Sequence, residues 1–190
     1  LGAVTLGSAT VLDSGSGGTT AGAVTGGGFN FTLQGSGADT VASTTNVAVL
    51  DVNKSGGSAT FTGNVGTTGN LTTANANFSV ALNGAANTIG GSGTFLNDGG
   101  VTIGAGGGTS SFATGLTTTG ATGTNTLNGT ISTTNAAITL GAVTLGSATT
   151  LDTNATTTAG DITLGVVTAG GNTLTLETGT SAGITAASAI

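Results

Sequence analysis

Apolar and polar residues alternate along this chain in short runs, and each run is closed by glycine, serine or asparagine. In Phe29-Asn30-Phe31-Thr32-Leu33 the apolar side chains fall on every second residue, the period of a half-buried strand. Ala3–Leu6, Gly22–Thr25, Asn46–Leu50 and Thr173–Leu176 read as strands too. Ser14–Gly18 and Gly26–Gly28 separate the early ones as turns.

A longer period lies over this alternation. Phe61, Phe78, Phe95 and Phe112 recur every 17 residues in a chain with 6 phenylalanines and no other aromatic. Four residues after each stand Val65, Leu82, Gly99 and Leu116, which predicts a second inward column beside the first. Two before stand Ala59, Ala76, Gly93 and Ser110, all small. Four before stand Gly57, Ala74, Gly91 and Gly108, residues suited to tight corners. Eight before stand Asn53, Asn70 and Asn87, and then Gly104. Stacked strands lie ~4.8 Å apart, so residues one coil apart touch. The spacing therefore predicts Phe stacked on Phe inside and an asparagine ladder at a corner.

The chain also repeats itself over a longer distance. Leu1–Thr10 returns letter for letter as Leu140–Thr149, and Leu12-Asp13 returns as Leu151-Asp152. Residues 1–33 as a whole resemble 140–176, a duplication of a unit several turns long. It predicts equivalent places for Asp13 and Asp152, several coils apart. Past Thr118 the period loosens: Ile131 and Leu151 are the next candidates for the Phe column, and Ile138-Thr-Leu returns as Ile162-Thr-Leu. Together these predict an all-β fold, a three-sided parallel β-helix (β-solenoid) with coils of about 17–24 residues. The expected domain is one solenoid segment over 1–190, most regular at 51–118, within a longer repetitive protein or filament. Right-handed crossovers are the default for parallel strands. About ten coils are expected, a rod on the order of 50 Å long. An antiparallel sandwich also uses short strands and glycine turns, but gives no reason for columns at a fixed spacing.

Composition narrows the classes of function. Charged residues are only 4% of the chain, and one Lys54 faces seven acids: Asp13, Asp39, Asp51, Asp98, Asp152, Asp161 and Glu177. A net charge of −6 without a basic patch argues against nucleic acid as a partner. No run reaches the ~18–20 apolar residues of a membrane helix, so membrane insertion is not expected. The absence of Cys removes disulfides and thiolate metal sites.

The string Asp161-Ile-Thr-Leu-Gly-Val-Val-Thr-Ala-Gly-Gly-Asn-Thr-Leu-Thr-Leu176, with Ala182–Ala187, resembles the strand repeats of filamentous-haemagglutinin-like exoproteins and autotransporter passengers. That resemblance implies a bacterial protein that is exported, rod-like and exposed at the cell surface.

Catalytic chemistry is not legible in the pattern. Hydrolysis or elimination needs clustered carboxylates or a metal, and the acids here are dispersed, without Arg or His. No cofactor and no metal are expected. Gly35-Ser-Gly-Ala-Asp39 approximates one calcium-roll repeat, but one Asp supplies too few oxygens for a hard cation, so Asp39 reads as a turn residue. Lys54, beside Asn53 and Asp51, raises an intramolecular Lys–Asn or Lys–Asp crosslink; the simpler reading is one exposed lysine. Thr124/Thr126 and Thr173/Thr175 have the spacing of flat threonine arrays but do not recur in the Phe register. Asn-x-Ser/Thr triplets begin at Asn30, Asn53, Asn70, Asn77, Asn128 and Asn154, as expected by chance in so Asn- and Thr-rich a chain.

Two readings of function follow. The first is an extracellular structural protein forming a rod or filament segment by coil stacking, with self-association end to end or laterally. Its neutral ends, Leu1–Val4 and Ala186–Ile190, invite such pairing. The second is an adhesin passenger rod that binds host or cell-surface glycans or proteins through loops at Ser14–Gly28 or Gly104–Ser111.

Overall fold

The computed structural model describes residues 1–154, 156, 160–180 and 183–186. Every described element is a strand, every strand pairing is parallel, and partners lie about 21 residues apart in the chain. The chain winds as a β-solenoid of about eight turns. Each turn is a triangle with three faces. One turn serves as the pattern: Ser58–Phe61 on face I, Val65–Thr67 on face II and Leu71–Thr73 on face III. The next turn repeats it with Ser79–Leu82, Ala86–Ile89 and Gly93–Thr94. In some turns faces I and II run on as one bent strand, as in Ala38–Val47, Asn125–Thr133 and Val143–Asp152.

The two-residue alternation decides which side chains fill the lumen. On face I one inward column runs Ala21, Val41, Phe61, Leu82, Ile103, Leu127, Leu145. On face III another runs Phe31, Leu50, Leu71, Gly93, Leu116, Ile138, Ile162. All but glycine are buried hydrophobics of one continuous core. Burying a Leu, Ile, Val or Phe side chain contributes about 1.5–3 kcal/mol. This core is what offsets the entropy of ordering a chain so rich in glycine.

The 17-residue ladder is corrected by this register. Phe61 pairs with Leu82 and Val41, not with Phe78. Phe61 lies on face I, Phe78 at the corner just before face I, Phe95 at the end of the face III strand, and Phe112 on face II. All four rings are fully buried. A spacing four residues short of a coil carries each ring backwards round the triangle, so the phenylalanines spiral through the lumen. Val65, Leu82 and Leu116 are likewise buried, on faces II, I and III respectively. The glycines of the ladder do mark tight corners: a Cβ at Gly57 would lie 2.2 Å from the Gly37 carbonyl oxygen, and one at Gly108 1.8 Å from that of Ala85.

The asparagine column is corrected too. Asn53 is exposed and stands over Gln34, which stands over Asp13. Asn70 caps the next turn, its Oδ1 accepting from the Ser92 N–H at 3.0 Å. Asn87 is buried; its Oδ1 accepts from the Val65 N–H at 3.0 Å and its Nδ2 donates to Ser110 Oγ at 2.9 Å. Asn125 repeats that role one face away, accepting from the Val101 N–H at 3.2 Å. These amides bond the backbone of the neighbouring turn wherever the strand ladder is interrupted, rather than one another.

Several sequence expectations match the register. Ile131 pairs with Leu151, and Ile138-Thr-Leu with Ile162-Thr-Leu, but neither Ile131 nor Leu151 continues the Phe column, because Phe112 pairs with Thr133 and Ile131 with Ser110. The Leu1–Thr10 duplication, however, is not a structural one. Val4-Thr5 pairs with Val24-Thr25 on face II, whereas the identical Val143-Thr144 lies on face I. Ala-Val-Thr-Leu satisfies the in–out alternation of any face, so position in the coil is set by its neighbours. Asp13 accordingly sits on face III and Asp152 on face II. Asn46–Leu50, expected as one strand, spans the corner between Ala38–Val47 and Leu50–Lys54, and Asn46 takes a positive φ of 52°. Phe29 precedes its strand and is exposed.

Candidate functional site

The chemistry of the chain gathers at one corner of the third turn. Asp39 is near the start of the face I strand Ala38–Val47, and Lys54 is the last residue of the face III strand Leu50–Lys54. Both side chains have no solvent exposure. Lys54 Nζ contacts Asp39 Oδ2 as a buried ion pair. Ser14 Oγ donates to the same oxygen at 3.1 Å, and the Thr19 N–H donates to Oδ1 at 2.7 Å. The ladder neighbours are small, Ala59 beside Asp39 and Gly35 beside Lys54.

Two expectations fall here. Lys54 is not an exposed lysine, and its partner is neither Asp51 nor Asn53. Asp39 is not a solvated turn residue: both its oxygens are engaged by protein groups. The sequence signal for this pair was weak, since 15 residues separate the two and no coil length was fixed in that region. Among the described residues, no group of three or more His, Cys, Asp or Glu is placed to hold a metal ion.

The other acids lie on the outside. Thr72 Oγ1 donates to Asp51 Oδ1 at 3.0 Å and Thr122 Oγ1 to Asp98 Oδ1 at 2.8 Å, each across one turn. Asp161 Oδ1 accepts from the Gly183 N–H at 2.7 Å. Stacking does bring two acids side by side: Asp152 and Glu177 are direct ladder partners on face II. Strands one turn apart project like charges onto each other there, a modest repulsion at a solvated surface.

The Thr-x-Thr spacings do not recur in the Phe register, but threonine columns do run in the observed one. Face III carries Thr72, Thr94, Thr117, Thr139 and Thr163 in one outward line. Face I carries Thr20, Thr40 and Thr60, then Ala81, then Thr102, Thr126, Thr144 and Thr168. Face II carries Thr109, Thr130, Thr150 and Thr175. All three faces have the same β-branched outer line, so none is singled out as a ligand-binding plane. The line is the strand preference of threonine at half-exposed positions.

The two loops named for an adhesin are largely absorbed into the coil. Ser14–Gly28 contains the strand Thr20–Thr25, and Gly104–Ser111 contains the turn in which the Gly107 N–H donates to Gly104 O before the strand Thr109–Phe112. A groove of about 320 Å³ lies along face I, lined by Thr124, Ala142, Thr144, Val166 and Thr168, with no charged side chain. No described helix is long and apolar enough to cross a membrane. No family model, curated protein or solved structure matches the chain.

Proposed function

We propose that this chain is a segment of an extracellular structural rod that is built, and extended, by coil stacking. The observation that carries the reading is the ladder itself. Among the described residues, each turn pairs through parallel ladders with the turns before and after it, with register shifts at Leu127/Gly129 and Thr44/Val47. Such a stack has no intrinsic length, because each added turn repeats the same interface. At ~4.8 Å per turn, about eight turns span roughly 40 Å.

The first turn shows what an added turn would meet. The strands Val4–Thr5 and Thr10–Asp13 pair on one side only. Leu1 and Val11 are exposed there, and a hollow beside Val4, Leu12, Val24 and Phe31 opens onto the core. A further turn of the same kind, from a longer chain or from a second copy, would satisfy the strand edges and cover this apolar end. The lateral surfaces, dominated by Thr, Ser, Asn and Gly, allow rods to pack with little charge repulsion. This is the architecture that the resemblance to filamentous-haemagglutinin-like and autotransporter-passenger repeats implies, and surface exposure belongs to the same proposal.

Negative-stain images of the chain at high concentration test it. Rods or fibres are expected. Discrete globular monomers that persist at high concentration would overturn the proposal.

A further inference from the structure

Lys54 is the single Lys or Arg of the chain, and it is sealed inside the solenoid against Asp39. A dry ion pair is a poor stabiliser by itself, because desolvating both charges offsets their attraction. The groups around this pair are arranged for more than attraction. Nζ touches Oδ2, the Ser14 hydroxyl lies 3.1 Å from that same oxygen and 3.1 Å from the Gln34 carbonyl oxygen, so its one proton serves either, and the Thr19 N–H points at Oδ1. In the terms of acyl transfer these are a nucleophile, a donor to the leaving oxygen and a donor to the carbonyl oxygen.

We infer that Lys54 and Asp39 condense to an intramolecular amide that staples the third turn of the solenoid. Proton transfer along the Nζ–Oδ2 contact gives the amine and the carboxylic acid between which the bond forms. The nitrogen lone pair then forms the Nζ–Cγ bond, and the developing negative charge on Oδ1 is held by the Thr19 N–H. The Cγ–Oδ2 bond breaks, and Oδ2 leaves as water with two of the three protons that began on the ammonium. One proton stays on the amide nitrogen. Nothing is oxidised or reduced, and no further reactant enters. Oδ1 becomes the amide oxygen and keeps its bond from Thr19, so the product fits the geometry of the pair. The two lost charges are opposite, and the net charge is unchanged.

The crosslink makes a ring of nearly one complete turn, from the face I strand Ala38–Val47 to the end of the face III strand Leu50–Lys54. It stands independently of the rod proposal: a monomer can carry it, and a filament can form without it.

Intact-mass spectrometry of the denatured chain, with trypsin digestion, is the test. Lys54 is the one residue at which trypsin can cut. The expected chain is lighter than its sequence mass by one water and resists trypsin in denaturant. A non-tryptic digest should contain a branched peptide joining residues 39 and 54. Lys54→Arg keeps a cation opposite Asp39 and should return to its full sequence mass and be cut. Ser14→Ala should condense more slowly. A wild-type chain at full sequence mass that is cut at Lys54 would overturn the inference. So would a water loss that persists in Lys54→Arg, which would place it elsewhere, for example in an imide at Asp98-Gly99.

Discussion

Gly93 is the gap in an otherwise large-residue column, and the gap has an occupant. Its ladder partners on face III are Leu71 and Leu116, and the Phe112 ring reaches in from face II to lie under the glycine. A Cβ at residue 93 would stand 2.6 Å from Cδ1 and Cε1 of that ring and 3.2 Å from Leu116 Cδ1. Gly93→Leu therefore overpacks the lumen, at a cost of about 1–3 kcal/mol or more. Phe112→Ala empties the same space and costs about 3–5 kcal/mol, the usual range for a buried ring. In the double variant the new leucine enters the volume the ring left. The two changes should then cost at least ~2 kcal/mol less than the sum of the singles, a coupling expected only of residues in contact. Urea unfolding followed by far-ultraviolet circular dichroism suits a chain without Trp or Tyr. Unchanged m values across the four proteins would show that the same unfolding step is compared. Additivity within ~0.5 kcal/mol would refute the packing. It would mean that Phe112 lies elsewhere, as in a coil of 17 residues where it stacks on Phe95.

Other perturbations read other parts of the structure. Asp39→Ala leaves the Lys54 ammonium buried with no acid to pair or condense with, and should lower unfolding stability by at least about 3–5 kcal/mol, measured in the same urea assay. Asn87→Ala removes the acceptor of the Val65 N–H and the donor to Ser110; a loss of about 1–3 kcal/mol is expected, and an unchanged midpoint would argue against the corner role. Among the described residues Thr153 Oγ1 is buried without a hydrogen-bond partner, so Thr153→Val should be neutral or stabilising by about 1 kcal/mol; a clear loss in thermal unfolding would contradict this. Glu177→Gln removes the like charge facing Asp152 and should gain about 0.2–1 kcal/mol. That gain should shrink as salt is added, and a salt-independent difference would point to another cause.

The sequence by itself determined the class of this fold. In–out alternation, glycine corners and recurring apolar columns require a stack of short strands, and only parallel coils lay like residues over like. The pair Ile138–Ile162 could be read outright, because Ile-Thr-Leu recurs there one coil further on. What the tertiary structure alone decided was phase. A threefold coil accepts the same apolar–polar alternation on any face, so local sequence cannot say which face a strand occupies. Leu1–Thr10 and Leu140–Thr149 are identical in sequence yet sit a face apart. The phenylalanines illustrate the same degeneracy: the 17-residue spacing is real, but it measures their walk around the lumen rather than the coil. The buried pair stayed hidden for a related reason. Asp39 and Lys54 meet across a corner whose position depends on the length of that one turn, and only the folded path brings the single cation to its acid.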